Sequence, residues 1–221
     1  MKVLIVGANG KVGTLLCGQM WSAHGFSPIA LIRDIRQQTK FTALGVPSAV
    51  GDLEKGLIEF LPGLDAVVFT AGSGAHTGPN KTIDVDQDAA IRLMNDCKQA
   101  GVSRFVMVSA IGADPLSNSP LIQNYLRAKG MADEYLRSSG LDYTILAPGT
   151  LLNSSGTGKI QAAEALGCHG TVPREDLSQS IIEVLRNYNT IGKTIQVISG
   201  KDPIKNAVAN ASGGEALPPV L

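Results

Sequence analysis

The chain has 221 residues, of which 44% are hydrophobic and 17% are charged. This composition is typical of a globular domain and excludes a disordered or fibrous protein. Nineteen Lys and Arg residues balance nineteen Asp and Glu residues, so there is no net positive charge to attract nucleic acid or an anionic membrane. We therefore expect a small-molecule ligand, and neither a nucleic-acid partner nor a membrane partner.

Short apolar runs rich in β-branched residues recur along the chain, and helical spacing follows most of them. Predicted strands cover 2–6, 28–32, 47–50, 65–70, 104–109, 143–147 and 194–199, and predicted helices cover 11–24, 35–44, 54–61, 84–100, 120–139 and 174–188. This alternation predicts an α/β fold, a Rossmann-type doubly wound parallel sheet with helices on both faces.

Two segments break the alternation. Residues 149–173 are rich in Gly, Ser and Thr, which predicts loops with one or two short edge strands. Ligands of doubly wound sheets lie outside the carboxyl ends of the strands, so we expect this small loop-rich region to wall a substrate pocket. We assign 1–206 to a single Rossmann domain and 207–221 to a C-terminal tail that is flexible by composition.

The cysteines and the first apolar run indicate the cellular compartment in which we expect the protein. Cys17, Cys97 and Cys168 lie far apart and form no CxxC pair, a pattern that favours reduced thiols in a cytosol. The first apolar run is too short for a signal peptide, and no stretch approaches the length of a membrane span. We predict a cytoplasmic monomer or homodimer without a metal site.

The first predicted loop carries VGANGKVG at residues 6–13. Gly7 permits a tight turn, Gly10 lets the backbone approach a ligand, and Gly13 lets helix and strand pack closely. Free N–H groups and the positive helix end would lie beneath a pyrophosphate. Its position between strand and helix favours a dinucleotide-binding turn over a purely structural one. The candidate contact residues are Gly7, Asn9, Gly10, Lys11, Val12 and Gly13.

The end of the second predicted strand indicates which dinucleotide binds. Arg33 offers a planar, permanently charged group that suits the 2′-phosphate of NADP. Asp34, next to it, is able to accept hydrogen bonds from the ribose hydroxyls of NAD. We take both as cofactor-binding candidates and predict NADP, with NAD as the alternative.

Further motifs follow the later strands: LIRD at 31–34, GDL at 51–53, FTAGSG at 69–74, AGVSRFVMVSA at 100–110, NYLRAKGMADEYLRSSGLDYTILAPG at 124–149 and PRED at 173–176. With the glycine turn, they resemble the short-chain dehydrogenase/reductase superfamily, specifically its atypical NAD(P)H-binding branch, which includes NmrA-like and biliverdin-reductase-B-like proteins. The resemblance implies that Asp52 and Leu53 flank the adenine and that Ala71, Gly72 and Ser73 pass close to the ribose. It also implies cofactor contacts at Lys129 and Pro148.

Tyr125 and Lys129 are four residues apart, which on a helix places both side chains on one face. Their helix follows the strand that ends at Ser109, an arrangement that resembles the superfamily's catalytic serine, tyrosine and lysine. The pKa of a free tyrosine is about 10, so acid–base work near neutral pH requires a neighbouring positive charge, which Lys129 would supply. Ser109 would orient the substrate oxygen and Tyr125 would transfer the proton, once the loop 112–120 folds to bring them together.

These features predict an NADP-dependent oxidoreductase that transfers hydride to a small carbonyl or quinone-like substrate. Two alternatives stay open. An NmrA-like redox sensor would bind NADP(H) and signal to a partner protein, and a flavin-reductase-like enzyme would pass hydride to a flavin without using Tyr125. Sugar-nucleotide epimerase activity is disfavoured, because those relatives carry a larger C-terminal substrate domain than the region after Gly149 could build.

Overall fold

The computed structural model describes residues 1–72 and 82–213. Its strands are β1 (Lys2–Val6), β2 (Ser27–Ile32), β3 (Ser48–Val50), β4 (Ala66–Phe69), β5 (Arg104–Val108), β6 (Asp142–Pro148), β7 (Thr150–Leu152), β8 (Lys159–Ala163), β9 (Thr171–Pro173), β10 (Lys193–Ser199) and β11 (Asp202–Pro203). Its helices are α1 (Lys11–Ser22), α2 (Gln38–Ala43), α3 (Ala90–Ala100), α4 (Gln123–Ser138), α5 (Arg174–Arg186) and α6 (Ile204–Ala211). No helix in these two ranges combines the length and the apolarity needed to cross a bilayer.

A nine-stranded sheet organises the described residues, in the spatial order β11-β8-β10-β6-β5-β4-β1-β2-β3. All neighbours from β10 to β3 run parallel, and β8 runs antiparallel to both β10 and β11. Every residue of β4 and β5 is buried, as expected for central strands that are covered on both faces. The predicted doubly wound α/β fold is confirmed, and the carboxyl ends of β1, β4 and β5 meet at one edge.

Helices cover both faces of the sheet, and each face has its own apolar core. Val3 and Ile5 of β1 pack with residues of α1, α5 and α6, whereas Leu4 and Val6 pack with residues of α3 and α4. Alternate residues of a strand point to opposite faces, so one short apolar run supplies both cores. This double coverage holds the carboxyl ends of the strands in fixed positions.

Three predicted helices differ from the structure. The predicted helix 54–61 is wrong: the chain forms two short 3₁₀ turns, Leu53–Lys55 and Ile58–Phe60, and Gly56 between them has a φ of +92°. The Asp52 side chain accepts a hydrogen bond from Glu54 N, which favours a tight turn over a longer helix. The other two split, because a 3₁₀ turn precedes α2 and a π-helical segment, Ile83–Ala89, precedes α3.

The C-terminal third contains more regular structure than its composition predicts. Residues 149–173 hold three short strands, of which β8 joins the main sheet and β7 pairs with β9 in a separate two-stranded sheet. The prediction of flexibility from Ala207 onward is wrong for Ala207–Ala211, which belong to α6. Ala207 and Val208 are buried in one apolar core, so packing outweighs local composition there.

Candidate functional site

The glycines of the first loop differ in what surrounds them. Gly7 has a φ of +85°, and a Cβ there would lie 2.4 Å from Ala71 N. A Cβ at Gly13 would lie 2.4 Å from Gly7 O. Gly10 has an ordinary φ of −68°, and a Cβ there would meet only Gly7 O, at 3.1 Å. Gly7 and Gly13 are therefore required by backbone packing, whereas Gly10 keeps space open in front of α1.

The N-terminus of α1 is open to an anion. Gly10 is the N-cap residue, no side chain caps the first turn, and that turn contains no acidic residue. The free N–H groups and the partial positive charge of such a helix end attract negative groups. Gly10 also lines two cavities at the sheet edge. The turn therefore fits the pyrophosphate of a dinucleotide.

The first of these cavities brings together residues that the sequence predicts around the adenosine half of the cofactor. It has a volume of about 430 Å³ and is lined by several of the predicted cofactor residues: Gly7, Asn9, Gly10, Arg33, Asp52, Leu53, Ala71 and Gly72. Asp34 does not line it, because its carboxylate accepts hydrogen bonds from the side chain and the backbone of Arg36. The Arg36 side chain, and then its backbone N–H, lower the pKa of Asp34. Arg33 is therefore the better placed of the two candidates.

The second cavity, of about 780 Å³, joins the glycine turn to the predicted catalytic residues. Gly10, Lys11 and Val12 line it together with Ser109, Tyr125 and Lys129. The loop 112–120 folds back on α4, where Asp114 N donates a hydrogen bond to Leu126 O. A Cβ at Gly130 would lie 2.4 Å from Asp114 C, so this glycine allows the close packing. We call this space the main cavity.

Lys129 is fully enclosed and has a carboxylate partner. Its Nζ lies 3.0 Å from Asp86 Oδ1 and donates hydrogen bonds to the backbone oxygens of Val108 and Ala71. Burial alone would lower the pKa of Lys129, but the charges of Asp86, Tyr125 and Asp133 outweigh it and raise this pKa. Asp86 comes from the π-helical segment, a conformation common at functional sites. Lys129 therefore stays charged, and Asp86 compensates its charge.

Tyr125 is half-buried, and its phenol stays protonated. Burial is the main cause of its raised pKa; Lys129 acts in the opposite direction, and the carboxylates of Asp86 and Asp133 add to the rise. The Lys129 Nζ lies 6.0 Å from the centre of the Tyr125 ring. The sequence predicts that Lys129 stabilises a phenolate, but Asp86 offsets that effect. The arrangement suits a tyrosine that donates a proton.

Ser109 is held by a second buried carboxylate. Its Oγ donates a hydrogen bond of 2.6 Å to Asp133 Oδ2, and no donor among the described residues reaches Asp133 Oδ1. Burial raises the pKa of Asp133 to about 6, although Ser109, Lys129 and Arg137 act to lower it. While Asp133 is ionised it holds the Ser109 proton, and once Asp133 is protonated that hydroxyl is able to donate into the main cavity.

Two further predicted contacts line neither of these cavities. Gly13 packs inside the turn, and Pro148 is buried at the end of β6 and lines neither cavity. Ser73 lies outside the described residues.

Sequence reasoning missed the two buried carboxylates that contact Lys129 and Ser109. Asp133 is four residues after Lys129 on α4, a helical spacing that was available as a signal. Asp86 joins Lys129 from a distant segment, and nothing local in the sequence indicates that pair.

A family model described as NAD(P)H-binding matches residues 7–188. The chain is 37% identical to the uncharacterized sugar epimerase YhfK of Bacillus subtilis, over 94% of this chain and 99% of that protein. Its structure matches an NAD-dependent epimerase/dehydratase candidate from Bacillus halodurans with a TM-score of 0.89 and 38% identity, over 95% and 99% of the two chains. It also matches ChuY, an anaerobillin reductase of Escherichia coli O157:H7, with a TM-score of 0.75 and 26% identity, over 91% and 98%.

Proposed function

The chain belongs to the NAD(P)H-binding family, within the atypical branch of the short-chain dehydrogenase/reductases, and on that premise we propose that it is an NADP-dependent reductase of a small carbonyl or quinone-like substrate. The observation that carries this proposal is the presence of Ser109, Tyr125 and Lys129 in the same cavity as the glycine turn. NADPH, when bound, supplies the hydride.

Residues around the glycine turn would bind the cofactor and determine the preference for NADP over NAD. The open N-terminus of α1 would hold the pyrophosphate, and the Lys129 ammonium would reach the nicotinamide ribose by giving up its longest hydrogen bond, to Ala71 O at 3.4 Å. Arg33 lines the adenosine cavity, where its guanidinium suits a 2′-phosphate. Asp34, which would favour NAD, is bound to Arg36. These contacts support NADP over NAD.

Tyr125 is the proton donor of the proposed reaction, because its hydroxyl is protonated. Its raised pKa keeps the hydroxyl protonated, so it donates a proton to the substrate oxygen as that oxygen becomes an alcohol. Ser109 orients the same oxygen, and its hydroxyl is free to do so when Asp133 carries its own proton. The Lys129–Asp86 ion pair lines the same cavity.

The test is NADPH oxidation measured with aldehydes, ketones, quinones and flavins. Tyr125→Phe keeps the ring but removes the proton donor, so turnover of a carbonyl should fall by about 10²- to 10⁴-fold with little change in cofactor affinity. Tyr188→Phe is the matched control, because Tyr188 is 66% exposed. Near-wild-type carbonyl turnover in Tyr125→Phe would contradict the proton-donor role, and retained flavin reduction would favour a flavin-reductase-like enzyme.

One observation favours a second candidate, a redox-sensing NADP(H)-binding protein. Asp86 compensates the charge of Lys129, and a sensor does not need an activated tyrosine. A sensor would consume no NADPH with any substrate of the panel, yet would bind a partner protein differently with NADPH and with NADP. The names of two relatives include epimerase activity. The same assay distinguishes an epimerase from a reductase, because an epimerase regenerates its cofactor and causes no net NADPH oxidation.

A further inference from the structure

A third cavity, of about 440 Å³, lies beside the glycine turn and concentrates positive charge. Three cationic side chains line it, those of Lys11, Lys40 and Arg174, together with Asn153 and the hydroxyl-bearing Ser154 and Ser155. Glu175 is its one acidic lining residue, and its carboxylate already accepts a hydrogen bond of 2.8 Å from Gly156 N. We call this space the basic cavity.

The three cations have only neutral partners among the described residues. Arg174 donates to Leu151 O at 3.0 Å and to Asn153 Oδ1 at 2.8 Å. Lys11 Nζ donates to the same Asn153 Oδ1, at 3.4 Å. Lys40 Nζ donates to the backbone and side-chain oxygens of Asn9. Two like charges therefore meet at one uncharged oxygen, an arrangement that a bound anion would stabilise.

The basic cavity adjoins the main cavity. Lys11 and Arg174 line both, and Leu151 contributes an apolar side chain to the main cavity next to them. Farther along, the main cavity is lined by apolar Pro120, Leu121 and Ile122 near Tyr125. A molecule in the main cavity would therefore have apolar walls around its body and two cations at one end.

We propose that Lys11 and Arg174 form a subsite for an anionic group of the substrate, so that the substrate is an apolar carbonyl or quinone-like compound with a carboxylate or phosphate. The carbonyl or quinone-like part of this inference rests on the proposed function, whereas the anion subsite does not depend on it. The cofactor would use the backbone N–H groups of the turn and leave the two side chains available. Arg174 is the better test position, because it makes no contact within the turn and is half-buried.

The binding experiment titrates NADP-saturated protein with inorganic phosphate and follows backbone amide resonances. The proposal expects the resonances of Asn153 and Arg174 to shift with phosphate in the wild type and in Lys98→Gln, an exposed lysine that lines none of the three cavities. It expects no such shifts in Arg174→Gln. If phosphate shifts these resonances only in the cofactor-free protein, the cations serve the cofactor's phosphates and the proposal is overturned. Absence of any shift in the wild type overturns it as well.

The kinetic experiment compares 4-carboxybenzaldehyde with 4-methylbenzaldehyde. The wild type should show a lower KM for the carboxylated compound by about tenfold or more, the range for a hydrogen bond to a charged group. Arg174→Gln should remove this difference and leave the affinity for NADPH unchanged in calorimetry. An unchanged preference in Arg174→Gln, or weaker NADPH binding, contradicts the proposal.

The two experiments separate the anion subsite from the reductase function. If neither aldehyde is reduced but phosphate binds next to Arg174 in the NADP-saturated wild type, the subsite stands and the reductase proposal fails. If both aldehydes are reduced equally and phosphate does not bind, the reductase function stands and the subsite fails.

Discussion

The glycine turn and the buried charge cluster both line the main cavity, yet they are built in opposite ways. The turn, residues 6–13, presents backbone N–H groups because side chains are left out at its glycines. The cluster, which consists of Asp86, Ser109, Lys129 and Asp133, withdraws four polar side chains from water, each at most 3% exposed. The turn is a local structure with no desolvated charge, whereas the cluster depends on partners from three separate segments.

This difference has an energetic consequence. A helix end that is open to water loses nothing when no anion is bound. A buried ion pair must be complete, because the loss of one partner leaves the other charge desolvated. Substitutions in the turn should therefore change binding and spare stability. Substitutions in the cluster should change stability as well as chemistry.

The largest effect is expected for Asp86→Asn. Removing the carboxylate leaves the buried Lys129 ammonium without its anionic partner, and the free energy of unfolding should fall by about 3–5 kcal/mol in urea at pH 7. Asp202→Asn, at an exposed position, should change it little. Asp86→Asn combined with Lys129→Met removes both charges and should recover most of the loss. A loss below about 1 kcal/mol in the single variant would show that the pair does not stabilise the fold.

Gly10→Val tests the other side of the comparison. The valine side chain would occupy space in front of α1, and loss of two or more hydrogen bonds to a charged pyrophosphate should weaken both cofactors by at least about 3 kcal/mol. The fold should survive, since φ is −68° at Gly10. Calorimetry measures the binding and circular dichroism the fold. Gly18→Ala, within α1 but away from the turn, is the control. Normal binding of either cofactor by Gly10→Val would show that the turn is purely structural.

The same contrast explains what the sequence was able to predict. The turn is encoded by glycines three residues apart next to an apolar strand, so both its position and its neighbours follow from local pattern. The parallel direction of the central strands follows from the alternation of strand and helix. The helix predicted over 54–61 fails because Gly56 and the Asp52 turn interrupt a weak helical pattern.

The charge cluster was only half visible in the sequence. Lys129 is predicted from its helical spacing to Tyr125, and Ser109 from the end of its strand. Asp86 was not found, because its contact with Lys129 is set by the packing of the π-helical segment against α4. The basic cavity was missed for a similar reason: Lys11 and Arg174 come from the first turns of two helices that are adjacent only in the folded chain.

Asp133→Asn should change how the free energy of unfolding depends on pH, which tests the charge cluster separately from the turn. The pKa of Asp133 is raised by burial to about 6 in the folded chain, above its ordinary 3.8, so the native state binds a proton more tightly than the unfolded state. Stability is therefore lost as pH rises from about 4 to about 6, and the loss then stays constant. The variant should flatten this part of the profile and gain about 2–3 kcal/mol at pH 7. Urea unfolding at pH 4, 5, 6 and 7 measures this, and an unchanged slope would refute the assignment.

The smallest expected effect concerns cofactor choice at the edge of the turn, where two arginines act in opposite ways. Arg33 lines the adenosine cavity, so Arg33→Ala should weaken NADPH by about ten- to a hundredfold, the range for a charged hydrogen bond, and barely change NADH. Arg36 instead occupies the carboxylate of Asp34. Arg36→Ala frees that carboxylate for the ribose hydroxyls, which should strengthen NADH and weaken NADPH by repulsion of its 2′-phosphate. Calorimetric titration of both cofactors into both variants measures the ratio. Equal losses of NADPH and NADH in Arg33→Ala would mean that Arg33 does not read the phosphate, and the contrast between Arg33 and Arg36 would then have no role in cofactor choice.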